Sequence, residues 1–172
     1  MTAPTLIMVA RGSRDLRVER VARALRDELA RLRPEVPASV AFHDSCLPNL
    51  PQALAQAAGA GASEVVLVPL DLTRATEVDP RFEGVIAHAA RDLPDVRVAV
   101  SRPLGPEAPL LTLLDLRLRA ALASARVLEL DGLILSSPTS GDVRGTALLA
   151  RRARQWSTHH RLPCLTAVAD GS

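Results

Sequence analysis

The sequence predicts an α/β fold. A first domain over residues 1–126 carries four parallel strands alternating with helices, and residues 127–172 open a second copy of the same βαβ pattern. Three observations predict it. Four short apolar runs, at 6–9, 38–42, 64–70 and 96–100, are bounded by turn formers and read as buried strands. Each run empties into a polar loop, and apolar residues at helical spacing follow. Finally, the order of strand, serine-containing loop, arginine-rich helix, proline and apolar strand over 6–42 returns over 133–168, with Ser140 where Ser13 stood and Asp142 where Asp15 stood.

The first run, Leu6-Ile7-Met8-Val9, leads into Ala10-Arg11-Gly12-Ser13-Arg14-Asp15, which supplies a sharp turn and a helix cap. Ligands of open α/β sheets bind outside the carboxyl ends of the strands, so residues 11–15 are the first place to look for function. Val18, Val21, Ala22, Leu25, Leu29 and Leu32 then form the apolar stripe of an amphipathic helix ended by Pro34 and Pro37. Its other face carries Glu19 with Arg23 and Asp27 with Arg31, acid-first pairs four residues apart.

The strand at 38–42 runs out into His43-Asp44-Ser45-Cys46, and Pro48 opens a short helix that Gly59 and Gly61 close. The third strand precedes a longer polar passage, residues 71–80, and long loops in compact domains are usually functional. A helix through Phe82, Val85, Ile86 and Ala89, the fourth strand and the loop 101–106 complete the first domain's sheet. The helix at 110–125 is leucine-rich around much of its circumference, so either the second half of the chain or a partner subunit, as in a homodimer, must sit against it. His88 lies within a helix, and His159 and His160 close the last one, where a cationic imidazole favours the helix dipole.

Composition narrows the function. Apolar residues make up 48% of the 172, yet there are only two Phe, one Trp and no Tyr, so the core is aliphatic and no stacking platform for single-stranded nucleic acid exists. A net charge of +2 speaks against a surface that coats nucleic acid. All 21 basic residues are Arg: Schiff-base chemistry has no lysine to use, whereas forked donors for carboxylates abound. Cys46 and Cys164 have no zinc or redox spacing, and no long apolar run suggests a membrane span. A soluble cytoplasmic protein is expected.

With its segments placed, the chain resembles the small chelatases that insert cobalt or ferrous iron into sirohydrochlorin on the cobalamin and sirohaem pathways. The resemblance lies in Val-Ala-Arg-Gly-Ser-Arg-Asp at 9–15, Ala-Phe-His-Asp at 41–44 leading to Pro-Asn-Leu-Pro-Gln-Ala-Leu at 48–54, Val-Leu-Val-Pro-Leu at 66–70 and Arg-Pro-Leu-Gly-Pro at 102–106. It implies a flavodoxin-like parallel sheet with helices on both faces, and the restart resembles the second half of the family's fused, two-domain members. Active members carry one histidine before the Gly-Ser-Arg and another in the loop after the third strand, both facing the metal. Here those positions hold Arg11 and Glu77.

A guanidinium has no lone pair to offer and stays charged, so Arg11 cannot bind metal or accept a proton. Glu77 can do both, as a harder donor than imidazole. The resemblance therefore implies a protein that binds a carboxylate-rich, sirohydrochlorin-like tetrapyrrole, with Co²⁺, Fe²⁺ or Ni²⁺ as the metal substrate and with chelatase activity altered or lost. Glu77 and Asp44 are the candidate catalytic groups, with Glu77 the candidate metal ligand. Arg11, Ser13, Arg14, Arg74 and Arg102 are the candidate binders of substrate carboxylates. Two other readings stand beside this one. A non-catalytic carrier or scaffold would use the helix at 110–125 as its interface, and a recruited enzyme would act on another acidic small molecule, clamped by Arg11 near a helix N-terminus.

Overall fold

Side chains of the first strand alternate between two cores, and this divides the helices between two faces. In the computed structural model, which describes residues 3–76 and 78–169, β1 (Thr5–Ala10) is followed by α1 (Leu16–Leu32), β2 (Ala38–Phe42), α2 (Leu50–Gly59), β3 (Glu64–Pro69), α3 (Arg81–Asp92) and β4 (Arg97–Val100). These strands form a parallel sheet in the order β2-β1-β3-β4. Ile7 and Val9 of β1 join Ala41, Val65 and Leu67 in a core closed by Leu50, Ala53 and Leu54 of α2 and by Phe82 and Ala89 of α3. Met8 and Ala10 point the other way, into a core with Val40, Phe42 and Ala22 of α1. Each fully buried Leu, Ile or Phe contributes roughly 1.5–3 kcal/mol by leaving water.

The remainder is α4 (Pro109–Ala125), β5 (Leu133–Ser137), α5 (Val143–His160) and β6 (Cys164–Val168), with β5 and β6 paired in parallel as a two-stranded sheet. The chain gathers into two compact units, residues 3–71 with 78–103 and residues 72–76 with 104–169. In this division α4 and the segment 72–76 gather with β5, α5 and β6.

Helix starts follow the expected caps in two cases. Asp15 caps α1 by accepting the Arg17 N–H, and Asp142 caps α5 by accepting the Arg144 N–H, both at 2.9 Å. The helix expected to open at Pro48 opens instead at Leu50, because Asn49 and Gln52 form a reciprocal capping box. On α1 the Glu19–Arg23 pair forms as spaced, but Arg31 pairs with Glu28 and Asp27 with the adjacent Arg26. The apolar stripe of α1 is only lightly covered: Ala22 is buried, whereas Val21, Leu25 and Leu32 are exposed. On α4, Asp115 is buried against Trp156 and His160 of α5, so part of the second half of the chain covers this helix, while Leu113, Leu114 and Leu116 stay exposed.

Candidate functional site

In the first unit, the loops leaving β1 and β2 are pressed backbone to backbone. The His43 N–H donates to the Ala10 carbonyl at 3.0 Å, and the Cys46 thiol donates to the Ser13 carbonyl at 3.3 Å. Gly12 is what permits this, since a Cβ there would lie 1.4 Å from the carbonyl oxygen of Asp44. Ser45 takes a left-handed conformation, φ 58°, as the β2 loop turns back toward α2.

Between these loops lies an open depression of about 750 Å³, whose lining includes Ser13, Arg14, Arg23, His43, Asp44 and Cys46. Of the expected site residues it brings together Ser13, Arg14 and Asp44. Arg11 follows the end of β1 and is exposed outside this lining, and Arg102, after β4, is exposed as well. Arg74 belongs to the second unit, where its guanidinium lies against Gly141. Glu77, the expected base and metal ligand, lies outside the described residues.

His43 is the residue that strand alternation misplaces. Alternation directs it to the face opposite Asp44, yet both line the depression, because the extended strand ends at Phe42. The imidazole packs edge-on against Phe82, with ring centroids 4.7 Å apart. The signal available in the sequence was a histidine next to an aspartate at a strand's carboxyl end. Imidazole and carboxylate together offer one nitrogen and one oxygen donor type, suited to a proton or a borderline transition cation.

The N-terminus of α1 is already occupied. The Asp15 carboxylate accepts the Arg17 N–H and forms a forked pair with the Arg17 guanidinium. That side-chain pairing, aided by the backbone bond, holds its pKa down to about 2. A carboxylate at this cap opposes a second anion there, which weighs against a phosphate clamp at this helix N-terminus.

In the second unit, the loop before α5 has a structural task. The Ser140 hydroxyl donates to the Thr73 carbonyl at 2.7 Å, and Asp142 Oδ2 accepts the N–H of Ala75 at 2.7 Å and that of Thr76 at 3.4 Å. Asp142 is 2% exposed. Burial alone would raise its pKa, but backbone N–H groups from Ala75, Gly145, Thr76 and Arg144 outweigh burial and hold it below the usual carboxylate range. Ser140 and Asp142 thereby clamp the segment that carries Arg74.

The sequence model of the CbiX family matches residues 5–121. The chain belongs to the CbiX family. Among solved structures, the sirohydrochlorin chelatase SirB from Bacillus subtilis subspecies spizizenii, in complex with cobalt, aligns with a TM-score of 0.77 at 17% identity, covering 96% of this chain and 67% of SirB. SirB from Bacillus subtilis with Fe³⁺ aligns with a TM-score of 0.74 at 18% identity over 99% of this chain and 68% of that one. A CbiX protein from Marinobacter aquaeolei VT8, named for cobalamin (vitamin B12) biosynthesis, aligns with a TM-score of 0.57 at 20% identity over 71% of this chain and 97% of that one. Comparison with the curated proteins gave no match. This CbiX-family chain therefore has the chelatase fold and spans about two thirds of the SirB chains. None of its described helices is long and apolar enough to cross a membrane.

Proposed function

We propose that this CbiX-family protein binds a sirohydrochlorin-like tetrapyrrole at the carboxyl ends of β1 and β2, and that its metal insertion is weaker than that of relatives with two metal-facing histidines. The observation that carries this reading is the depression in which Arg14, His43 and Asp44 stand together at the strand ends. Arg14 gives a forked donor for a ring carboxylate, and the Ser13 hydroxyl gives a second polar contact. Insertion must remove two pyrrole protons while a metal arrives from one face, so a group that titrates near neutrality is required. Arg11 cannot serve, and His43 beside Asp44 is the replacement within reach of the depression. Glu77 and Asp44 remain the carboxylate candidates for proton removal, with Glu77 as a metal ligand and Arg11, Arg74 and Arg102 as further carboxylate binders. Residues 127–172 are read as the opening of a second repeat, consistent with alignment of nearly the whole chain to SirB.

The deciding experiment is anaerobic incubation with sirohydrochlorin alone and then with Co²⁺, Fe²⁺ or Ni²⁺, followed by visible absorption. A Soret shift without metal supports binding, and a further metal-dependent change supports insertion. No shift in either case overturns the reading. A carrier or scaffold role is favoured by one specific observation, the exposed Leu113, Leu114 and Leu116 of α4. It is supported if the Soret shift occurs, metal adds nothing, and substitution of those leucines abolishes self-association.

A further inference from the structure

Helix α5 ends beside α4 with two histidines facing one aspartate. One ligand atom from each of Asp115, His159 and His160 lies within 4.8 Å of the others. Asp115 is 9% exposed, and a carboxylate so placed must be paired. Arg119 Nη2 approaches Oδ2 at 2.8 Å, and the Trp156 indole N–H donates to Oδ1 at 3.4 Å. The shortest approach is that of His160 Nε2 to Oδ1, at 2.6 Å. Even so, Nε2 is buried and makes no aligned hydrogen bond, so this close contact does not satisfy the ring nitrogen along its own axis. A cation seated between the two atoms, and reached from the other side by the exposed His159, would satisfy both.

We propose that Asp115, His159 and His160 form a binding site for a divalent transition cation of the zinc, cobalt or nickel class, in the second unit and apart from the depression at β1 and β2. Two imidazoles and one carboxylate are the ligand set that favours these ions over Mg²⁺ and Ca²⁺. Metal–ligand bonds of about 2.0–2.2 Å put two donors of a tetrahedral ion roughly 3.3 Å apart, a spacing that small side-chain rotations reach from the present one. Binding displaces any proton on His160 Nε2 to solvent, and water completes the coordination. Arg119 stays on Oδ2 and fixes the carboxylate's orientation, which leaves Oδ1 to the metal.

The chain has one tryptophan, and Trp156 contacts two of the three ligands, with its ring centroid 5.6 Å from that of His160. The test uses the full chain stripped with a chelator and titrated with Zn²⁺, Co²⁺ or Ni²⁺ in the absence of any tetrapyrrole, read by calorimetry and by Trp156 fluorescence. Co²⁺ and Ni²⁺ are expected to quench the fluorescence at one equivalent, and Mg²⁺ is expected to leave it unchanged. His159→Gln, which alters an exposed side chain and so leaves the fold intact, is expected to weaken binding about tenfold or more, and His160→Gln likewise. His43→Gln and Asp44→Asn are expected to leave the quenching unchanged, which separates this site from the tetrapyrrole depression. Absence of quenching, quenching that survives the double His159→Gln, His160→Gln variant, or quenching lost with His43→Gln would each overturn the proposal.

Discussion

The carbonyl oxygen of Asp44 fills the place where a side chain on Gly12 would begin, 1.4 Å from an ideal Cβ. Both partners are backbone, so no rotamer change relieves the clash. Gly12→Ala must therefore separate the β1 and β2 loops and open the depression between Arg14 and Asp44. The expected cost is about 1–3 kcal/mol or more in chemical denaturation, since overpacking of a rigid contact is destabilising. The same variant is expected to lose the sirohydrochlorin Soret shift. Unchanged stability with unchanged ligand binding would remove the depression from the functional site.

Asp142 links its own helix to a segment 67 residues away, at Ala75. Asp142→Asn keeps the shape and one acceptor, but turns a donor toward backbone N–H groups. It is expected to cost about 1–3 kcal/mol, the penalty for leaving buried donors unmatched. The folded-state pKa of Asp142 is lowered, so its contribution is complete above the unfolded carboxylate value near 3.9 and is lost as pH falls through the lower folded value. Thermal unfolding from pH 7 down to pH 3 is expected to show a steeper loss of stability for the natural chain than for Asp142→Asn. Parallel curves would mean that the carboxylate is not charged in the clamp.

What the sequence made legible was local. The Asp15 and Asp142 caps act on residues two positions away, and the alternation in β1 assigns Ile7 and Val9 to one core and Met8 and Ala10 to the other. The Asn49 capping box was also written in the sequence, as Asn49-Leu50-Pro51-Gln52, although Pro48 is the more conspicuous start signal. Alternation failed at His43 because it holds only while the chain stays extended, and the strand ends one residue earlier. Periodicity identified the apolar faces of α1 and α4 and required a cover for α4, but not its extent: α5 reaches Asp115, while Leu113, Leu114 and Leu116 of α4 and Val21, Leu25 and Leu32 of α1 stay exposed. The clamp of Ser140 and Asp142 on residues 73–76 was invisible because nothing local encodes a contact across so many residues.

Arg14 is the arginine of the expected set that lines the depression. If it forks a ring carboxylate, Arg14→Ala removes a charge-assisted pair worth about 1.5–3 kcal/mol, and tetrapyrrole affinity is expected to fall roughly 10- to 100-fold. Arg26→Ala, which removes an α1 arginine paired with Asp27, serves as the control for general charge and is expected to change affinity little. Absorbance titration at two ionic strengths checks both. Equal losses in the two variants would point to diffuse electrostatics instead of a site.

Arg11 stands directly after β1, and under the proposed function it and Glu77 take the two positions where the sequence resemblance implies metal-facing histidines in active chelatases. The guanidinium repels a divalent cation and offers it no lone pair, whereas neutral imidazole binds Co²⁺ and Ni²⁺ well. Arg11→His alone removes the repulsion and adds one donor. With Glu77→His it restores two, and the double variant is expected to gain about tenfold or more in metal-dependent spectral change with sirohydrochlorin over the natural chain. The assay must be read with the histidines of α5 replaced as well, so that metal held near Trp156 does not deplete the free ion. A double variant that gains tetrapyrrole-dependent insertion places the metal path at the end of β1. One that binds tetrapyrrole as before and gains nothing would move that path to His43 and Asp44, where a nitrogen and an oxygen donor already face the same depression.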